Sequence, residues 1–127
     1  MYKALVVDDD PKIVTLISFI LRKEGYIIVT ASNGEEGIEM AKKESPDIML
    51  LDLMMPGIDG YKVCEIMKAD PELSRIPIIM LTALNDGKSI EEGIKKGANW
   101  YITKPFEAAH LIKRVKKLIE QKESTQT

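Results

Sequence analysis

Three carboxylates in a row stand near the start of the chain and require a compensating charge. Asp8, Asp9 and Asp10 directly follow the apolar run ALVV. Carboxylates held this close repel one another, which raises the pKa of at least one of them unless a cation is bound nearby. The sequence therefore predicts a lysine or a metal ion beside this acidic cluster.

Further polar residues occur at the ends of later apolar runs. Asp52 follows DIMLL, Thr82 follows PIIML, and Lys104 follows WYIT. In an open sheet of parallel strands, ligands bind beyond the carboxyl ends of the strands. If these runs are such strands, the acidic cluster, Asp52, a hydroxyl and an ammonium meet at one edge of the sheet.

Mg²⁺ is the metal ion that best fits this set of side chains. The chain has one histidine, His110, and one cysteine, Cys64, so it lacks the paired soft ligands that zinc sites use. Mg²⁺ typically retains several waters and takes one or two carboxylates together with phosphate oxygens. The acidic cluster thus points to Mg²⁺ and to phosphoryl chemistry.

Asp52 is the best candidate for the nucleophile in such chemistry. Carboxylates can accept phosphoryl groups as aspartyl phosphates. The transferred group carries negative charge on three oxygens, which a metal ion, an ammonium and a hydroxyl can stabilise. Asp52 ends the third apolar run, between the acidic cluster and Lys104, so Asp8 and Asp9 would hold the metal. Asp10 precedes a proline and is typical of a helix N-cap.

Short β-branched apolar runs alternate with stretches of helical period along the chain. Runs such as DIMLL and PIIML are apolar at nearly every position, as in strands buried on both faces of a parallel sheet. The alternation predicts right-handed crossovers and an α/β fold, in which five helices doubly wind a five-stranded parallel sheet. The predicted strands are residues 3–7, 26–30, 47–51, 77–81 and 100–103.

The predicted helices carry start and stop signals. The first begins after Asp10, and the second opens with a capping box of Ser32 and Glu35 and ends before Pro46. The remaining helices are predicted near residues 60–69, near residues 86–96 and around Leu111, Val115 and Leu118.

Length and charge bound the class of protein. With 127 residues, 45% hydrophobic and 30% charged, the chain has the size and balance of one globular domain. Its net charge of −2 gives no general attraction to nucleic acid or to a membrane surface. No apolar run approaches the roughly 20 residues that cross a bilayer, no signal peptide is evident, and a single cysteine suits a reducing compartment. These features predict a cytoplasmic protein.

Taken together, the motifs resemble those of receiver domains of two-component response regulators, such as the chemotaxis regulators. The resemblance rests on four stretches in order: VVDDD, DIMLLDLMMPGIDG, PIIMLTA and GANWYITKPF. Thr82 and Lys104 lie 30 and 52 positions after Asp52, as in the family's pattern. The resemblance implies a flavodoxin-like fold with strand order 2-1-3-4-5. It also implies a receiver domain over residues 1–122, followed by a polar tail or linker over 123–127.

The resemblance further implies how the site works. Asp52 would accept a phosphoryl group from the phosphohistidine of a sensor histidine kinase or phosphotransfer protein. Asp9 and Asp52 would ligate Mg²⁺ directly and Asp8 through water, and the backbone carbonyl of Met54 would supply a further oxygen. The protein would then be a phosphorylation-activated signalling switch rather than an enzyme, with self-phosphorylation and slow autodephosphorylation only.

Other residues would transmit the signal. Thr82 would hydrogen-bond the phosphoryl group, Lys104 would form an ion pair with it, and the bond from Lys104 to Pro105 would be cis. Tyr101 matches the family's switch aromatic and would turn inward as Thr82 moves. The face formed by the fourth helix, fifth strand and last helix would then control a downstream effector protein or a missing output domain, or form a phosphorylation-dependent homodimer.

Two other readings remain open in the sequence. A phosphatase of the haloacid dehalogenase type would need a second aspartate two positions after Asp52 as general acid and base, where this chain has Met54. A receiver-like module that binds a partner without phosphorylation would not need the complete acidic pair, Thr82 and Lys104. Trp100 replaces the small or acidic residue usual in the family, and is either edge-strand packing or a partner contact. No nucleic-acid recognition motif is present.

Overall fold

The computed structural model describes residues 1–84 and 86–126 and has one parallel five-stranded sheet between two layers of helices. The strands lie in the order β2-β1-β3-β4-β5, which confirms the predicted α/β class and the flavodoxin-like strand order. The elements in chain order are β1 (Lys3–Val7), α1 (Pro11–Lys23), β2 (Ile27–Ala31), α2 (Gly34–Glu44), β3 (Ile48–Asp52), α3 (Gly60–Ala69), β4 (Ile78–Thr82), α4 (Gly87–Lys95), β5 (Trp100–Thr103) and α5 (Ala108–Gln126).

Alternate residues of the central strands supply two separate cores. Along β3, Met49 and Leu51 belong to the core beneath α2 and α3, whereas Ile48 and Leu50 belong to the core beneath α1 and α5. Every residue of β3 and β4 is buried, as expected for strands covered on both faces. Both cores therefore fix the carboxyl ends of the central strands in place.

The predicted strand boundaries need a correction of one residue. Strands β2, β3 and β4 each begin and end one position later than predicted. In the ladder, Asp52 pairs with Leu81 and Thr82 pairs with Thr103, so the pairing continues through the polar residues that end the apolar runs. Asp52 and Thr82 consequently lie on strands and not in the loops that follow them.

One predicted helix cap is confirmed and another is wrong. Asp10 caps α1, and its Oδ1 accepts a hydrogen bond from the Lys12 N–H at 2.9 Å. The N-cap of α2 is Asn33 rather than Ser32, and its side chain accepts from the Glu36 N–H at 2.9 Å. The Ser32 hydroxyl instead donates to the Glu36 carboxylate at 3.1 Å. Asparagine and serine are comparable N-caps, so the sequence alone did not separate the two positions.

The last helix is longer than the apolar pattern indicated. α5 continues to Gln126 and includes residues 123–126 of the predicted polar tail, whereas Thr127 lies outside the described residues. The domain boundary at residue 122 stays a prediction. Within residues 1–84 and 86–126, none of the helices has both the length and the apolar character that spanning a bilayer requires.

Gly60→Ala should destabilise the fold, because α3 begins directly against the end of β3. A Cβ at Gly60 would lie 2.8 Å from the Asp52 carbonyl oxygen and 2.8 Å from the Leu53 Cα, and neither backbone atom can turn away. Overpacking of this kind costs about 1–3 kcal/mol, and we expect a loss of that size in the free energy of unfolding measured with urea.

Gly87→Ala is the matched control for this experiment. A Cβ at Gly87, at the start of α4, meets nothing within 4 Å. This substitution should be neutral or should stabilise the protein by up to about 1 kcal/mol. Equal effects of the two substitutions would contradict the close approach of α3 to β3.

Candidate functional site

The carboxylates of Asp8 and Asp52 share one ammonium at the carboxyl edge of the sheet. The Lys104 Nζ lies 2.9 Å from Asp8 Oδ2 and 3.4 Å from Asp52 Oδ1. Asp8 is 1% exposed and Asp52 6% exposed, so water screens these charges poorly. The lysine that the sequence predicts as a counter-charge therefore contacts both buried aspartates.

Strand order explains why these three residues meet. β1 and β3 are neighbours, with Val7 opposite Leu51, so Asp8, which directly follows β1, lies beside Asp52 at the end of β3. β5 is two strands from β3, and Lys104 reaches across the end of β4. Its backbone N–H donates to the Thr82 carbonyl at 2.7 Å, which holds the start of the lysine stem beside β4. The Lys104–Pro105 peptide bond is cis.

The environment of Asp52 disfavours its ionised form, even though Lys104 lies nearby. Burial and the neighbouring Asp8 carboxylate raise the pKa of Asp52 to about 6, although Lys104 and the Met54 backbone N–H favour the ionised form. Burial acts to lower the pKa of Lys104, but its hydrogen bond to Asp8 and the charges of Asp52 and Asp8 outweigh burial and raise it. A single ammonium therefore does not fully compensate the carboxylates around it.

The oxygen atoms at this edge fit a hard divalent cation. Asp8, Asp9 and Asp52 can each present one carboxylate oxygen such that all three lie within 4.8 Å of one another. Asp8 and Asp52 are buried whereas Asp9 is exposed, so the set is open to solvent on one side. An all-oxygen donor set that leaves room for water is what Mg²⁺ requires. A cation bound there would favour the ionised form of Asp52 and so oppose the effect of burial and of Asp8 on its pKa.

Met54 lies at the rim of this site. The residue is 63% exposed, and its backbone N–H contributes to stabilising the Asp52 carboxylate. Met54 and Leu84 both line a groove of about 500 Å³ that adjoins the site. The predicted role of the Met54 carbonyl as a metal ligand stays a prediction.

Thr82 and Tyr101 are joined through the loop after β4. The Thr82 hydroxyl is buried and accepts a hydrogen bond from the Leu84 N–H at 3.2 Å. The Tyr101 hydroxyl donates to the Leu84 carbonyl at 2.8 Å. The half-buried Tyr101 ring lies against α4 at Gly93, where a Cβ would sit 3.5 Å from the ring. Thr82, Leu84 and Tyr101 thus form one hydrogen-bonded unit between the site and α4.

Some residues lie apart from the site, and one that the sequence did not indicate belongs near it. Cys64 is buried in the core, and burial raises the pKa of its thiol to about 12, so it is inert packing. His110 is exposed on α5. Leu84 was not predicted, because it links Thr82 to Tyr101 through its backbone, and backbone groups leave no signal in residue type.

Comparison with known families gives one match over most of the chain. The family model described as "Response regulator receiver domain" matches residues 4–116. Among curated proteins, the alkaline phosphatase synthesis transcriptional regulatory protein PhoP of Bacillus subtilis is 40% identical over 121 residues, covering 95% of this chain and 50% of PhoP. The DNA-binding response regulator MtrA of Mycolicibacterium smegmatis is 37% identical over 121 residues, covering 95% of this chain and 52% of MtrA. This chain spans about half the length of these relatives.

Solved structures have the same fold. A CheY-like response regulator receiver domain protein from Methanospirillum hungatei superposes with a TM-score of 0.92 at 26% identity, covering 98% of both chains. The receiver domain of the Francisella response regulator 1452 gives a TM-score of 0.89 at 33% identity, covering 95% of this chain and 98% of the other.

Asp52→Asn should stabilise the metal-free protein at neutral pH. The pKa of Asp52 is about 6 in the folded protein, above its ordinary value of 3.8. The folded state therefore binds more protons than the unfolded state between these values, and stability falls as the pH rises through that window. With EDTA present, Asp52→Asn should raise the free energy of unfolding by on the order of 2–3 kcal/mol at neutral pH and change it little near pH 4.

Urea unfolding at both pH values measures this difference. Glu39→Gln, at an exposed position on α2, serves as the control for loss of one carboxylate and should alter stability little at either pH. An Asp52→Asn protein no more stable than the parent at neutral pH would contradict the charge imbalance at the site.

Proposed function

Because the chain belongs to the response regulator receiver domain family, we propose that it is a phosphorylation-activated switch whose phosphoacceptor is Asp52. The donor in this proposal is the phosphohistidine of a sensor histidine kinase or phosphotransfer protein. The observation that carries the proposal is the buried Asp52 carboxylate, held beside Asp8 and Lys104 with incomplete charge compensation. The receiver domain in this proposal spans residues 1–122, and the match over residues 4–116 supports that extent.

The reaction requires an ionised Asp52. A carboxylate oxygen attacks the phosphorus, an O–P bond forms, the P–N bond to the donor imidazole breaks, and the imidazole retains the electron pair and takes up a proton. Bound by Asp8, Asp9 and Asp52, Mg²⁺ would supply positive charge to the phosphoryl oxygens and to the nucleophile. The Lys104 ammonium, already 3.4 Å from Asp52 Oδ1, would pair with the phosphoryl group.

The hydrogen bonds of the loop after β4 supply a route for the signal. Donation of the Thr82 hydroxyl to a phosphoryl group on Asp52 would draw Thr82 towards the site. The Leu84 N–H would then lose the Thr82 hydroxyl as its acceptor, now at 3.2 Å. Leu84 would be held less firmly, and so would its carbonyl, which accepts the hydrogen bond of the Tyr101 hydroxyl. We infer that Tyr101 then turns further inward and changes the face formed by α4, β5 and α5.

The output of the switch is a protein contact at that face. The contact is with a downstream effector protein, an output domain on the same polypeptide, or a second copy after phosphorylation. MtrA is described as DNA-binding and PhoP as a transcriptional regulatory protein, which supports an output in transcription. The net charge of −2 supports a receiver that does not itself bind nucleic acid or membrane. The buried lone thiol of Cys64 suits a cytoplasmic location.

Phosphoryl transfer to Asp52 should be detectable with a small donor. Incubation with acetyl phosphate and Mg²⁺ should add one phosphoryl group by intact-protein mass spectrometry, and EDTA or Asp52→Asn should abolish it. Asp9→Asn should reduce the yield strongly, because it removes one of the three carboxylates of the proposed metal site. An adduct that persists in Asp52→Asn would contradict the assignment.

Asp10→Ser is the matched control beside Asp9. Serine retains N-cap capacity, so α1 keeps its start while one negative charge is removed next to the site. This variant should be phosphorylated like the parent protein. Loss of phosphorylation in Asp10→Ser would mean that total negative charge, and not the particular ligands, governs the reaction.

A turnover assay separates a switch from a phosphatase. Met54 occupies the position at which the phosphatase would carry its second aspartate, so the chain offers no carboxylate there as general acid and base. We expect no multiple turnover of p-nitrophenyl phosphate with Mg²⁺, together with slow loss of the phosphoryl group from Asp52. Sustained release of nitrophenol would favour the phosphatase instead.

A further inference from the structure

Trp100 and Arg114 form a stacked pair between β5 and α5. The Arg114 guanidinium carbon lies 3.7 Å from the centre of the Trp100 ring, well within the range of a cation–π contact. Trp100 remains 38% exposed. Arg114 is half-buried, so the pair brings an exposed apolar ring and a partly exposed positive charge to the edge of the sheet.

Trp100 lies on the opposite face of β5 from Tyr101, the residue proposed above to turn inward. Side chains alternate along a strand, and Ile102 belongs to the core beneath α1 and α5 whereas Tyr101 packs on the core beneath α2 and α3. Trp100 shares the α5 side with Ile102. The side chain of Tyr101 therefore lies on the α4 side of β5, and the side chain of its neighbour Trp100 lies on the α5 side.

Arg114 has hydrogen-bonding capacity that the chain does not use. Its Nε is buried and finds no acceptor among the described residues. None of the ion pairs formed within residues 1–84 and 86–126 includes Arg114. The terminal guanidinium nitrogens carry four further N–H donors, and no hydrogen bond or ion pair among the described residues engages them, so a partner carboxylate could pair with the outer end of this side chain.

Helix α5 carries further positive charge near Arg114 in sequence. Lys113 and Lys117 are exposed, and Lys117 lies one helical turn beyond both Lys113 and Arg114. In the described part of the chain neither lysine forms an ion pair. We call Trp100, Arg114, Lys113 and Lys117 the Trp100 platform. It is a local basic surface on a chain whose net charge is −2.

We propose that the Trp100 platform binds an acidic, partly apolar peptide segment of a partner protein. A carboxylate of the segment pairs with Arg114, and a neighbouring apolar side chain packs on the exposed edge of Trp100. Arginine binds carboxylates through two parallel hydrogen bonds, and tryptophan and arginine are enriched among the residues that carry binding energy. The proposal rests on the proposed function, since it specifies the partner of the face formed by α4, β5 and α5.

Charge favours this occupant over a second copy of the chain. The carboxylates of the adjacent helix α4 are already engaged, because Glu91 lies 3.8 Å from Lys95 and Glu92 lies 3.6 Å from Lys96. A second copy that used these α4 carboxylates would give up a weak, exposed ion pair for each new contact with Arg114, so its net gain would be smaller. An independent acidic segment meets Arg114 without that loss.

A display library of random short peptides tests the proposal on the full chain. We expect enrichment of Asp and Glu next to Leu, Phe or Trp on the parent protein, and no such enrichment on Arg114→Met. Because Trp100 is the only tryptophan in the sequence, its fluorescence reports directly on binding of an enriched tryptophan-free peptide. The dissociation constant should rise roughly tenfold or more for Arg114→Met, and for the same peptide with amides in place of its carboxylates.

Lys43→Met is the control, because Lys43 is an exposed lysine on α2, far from β5 in the sheet order. It should bind the peptide like the parent protein. Absence of acidic enrichment, or equal affinity for the acidic and amide peptides, would overturn the proposal. Arg114→Lys keeps the positive charge but lacks the planar guanidinium that forms two parallel hydrogen bonds to a carboxylate. This variant should bind the acidic peptide more weakly than the parent protein, which separates the effect of pairing geometry from that of charge.

Phosphorylation and self-association distinguish the remaining outcomes. Arg114→Met should still take up a phosphoryl group from acetyl phosphate, which also demonstrates that it folds. If the parent protein is not phosphorylated while peptide binding depends on Arg114, the proposed function fails and the platform stands. If sedimentation gives a dimer for the parent and a monomer for Arg114→Met, the platform binds a second copy and the acidic-peptide proposal is wrong.

Discussion

The ion pair of Lys104 with Asp8 and Asp52 is the constraint on which the site depends. It joins the ends of three strands that are far apart in sequence, and it does so where water screens little. Two packed cores hold β1, β3 and β4 rigid enough to keep like charges close. The fold therefore carries an electrostatic cost at this edge of the sheet, which protonation of Asp52 or binding of a further cation relieves.

The residues of the site could be predicted because each interrupts an apolar run. Asp8, Asp52 and Thr82 are polar positions at the ends of strands that are otherwise buried, and parallel strands bring such ends together. The Lys104 contact follows from strand order, which came from the resemblance to a family and not from periodicity. Once that order is given, the geometry of the charged residues follows with little freedom.

The remaining features depend on information that residue types do not carry. The cap of α2 at Asn33 instead of Ser32 was a choice between two comparable residues that backbone conformation decides. The link through Leu84 uses only its backbone N–H and carbonyl. The stacking of Trp100 on Arg114 requires the relative placement of a strand and a helix, which depends on tertiary packing.

The alternation of β5 has a consequence for how such a protein can diversify. Tyr101 packs on the core beneath α2 and α3, whereas Trp100 stacks on Arg114 of α5 and remains partly exposed. A substitution at position 100 changes what the outer surface attracts while leaving the inner hydrogen bonds of Tyr101 untouched. Because the two side chains lie on opposite faces of one strand, the exposed surface at position 100 and the hydrogen bond of Tyr101 can vary independently of each other.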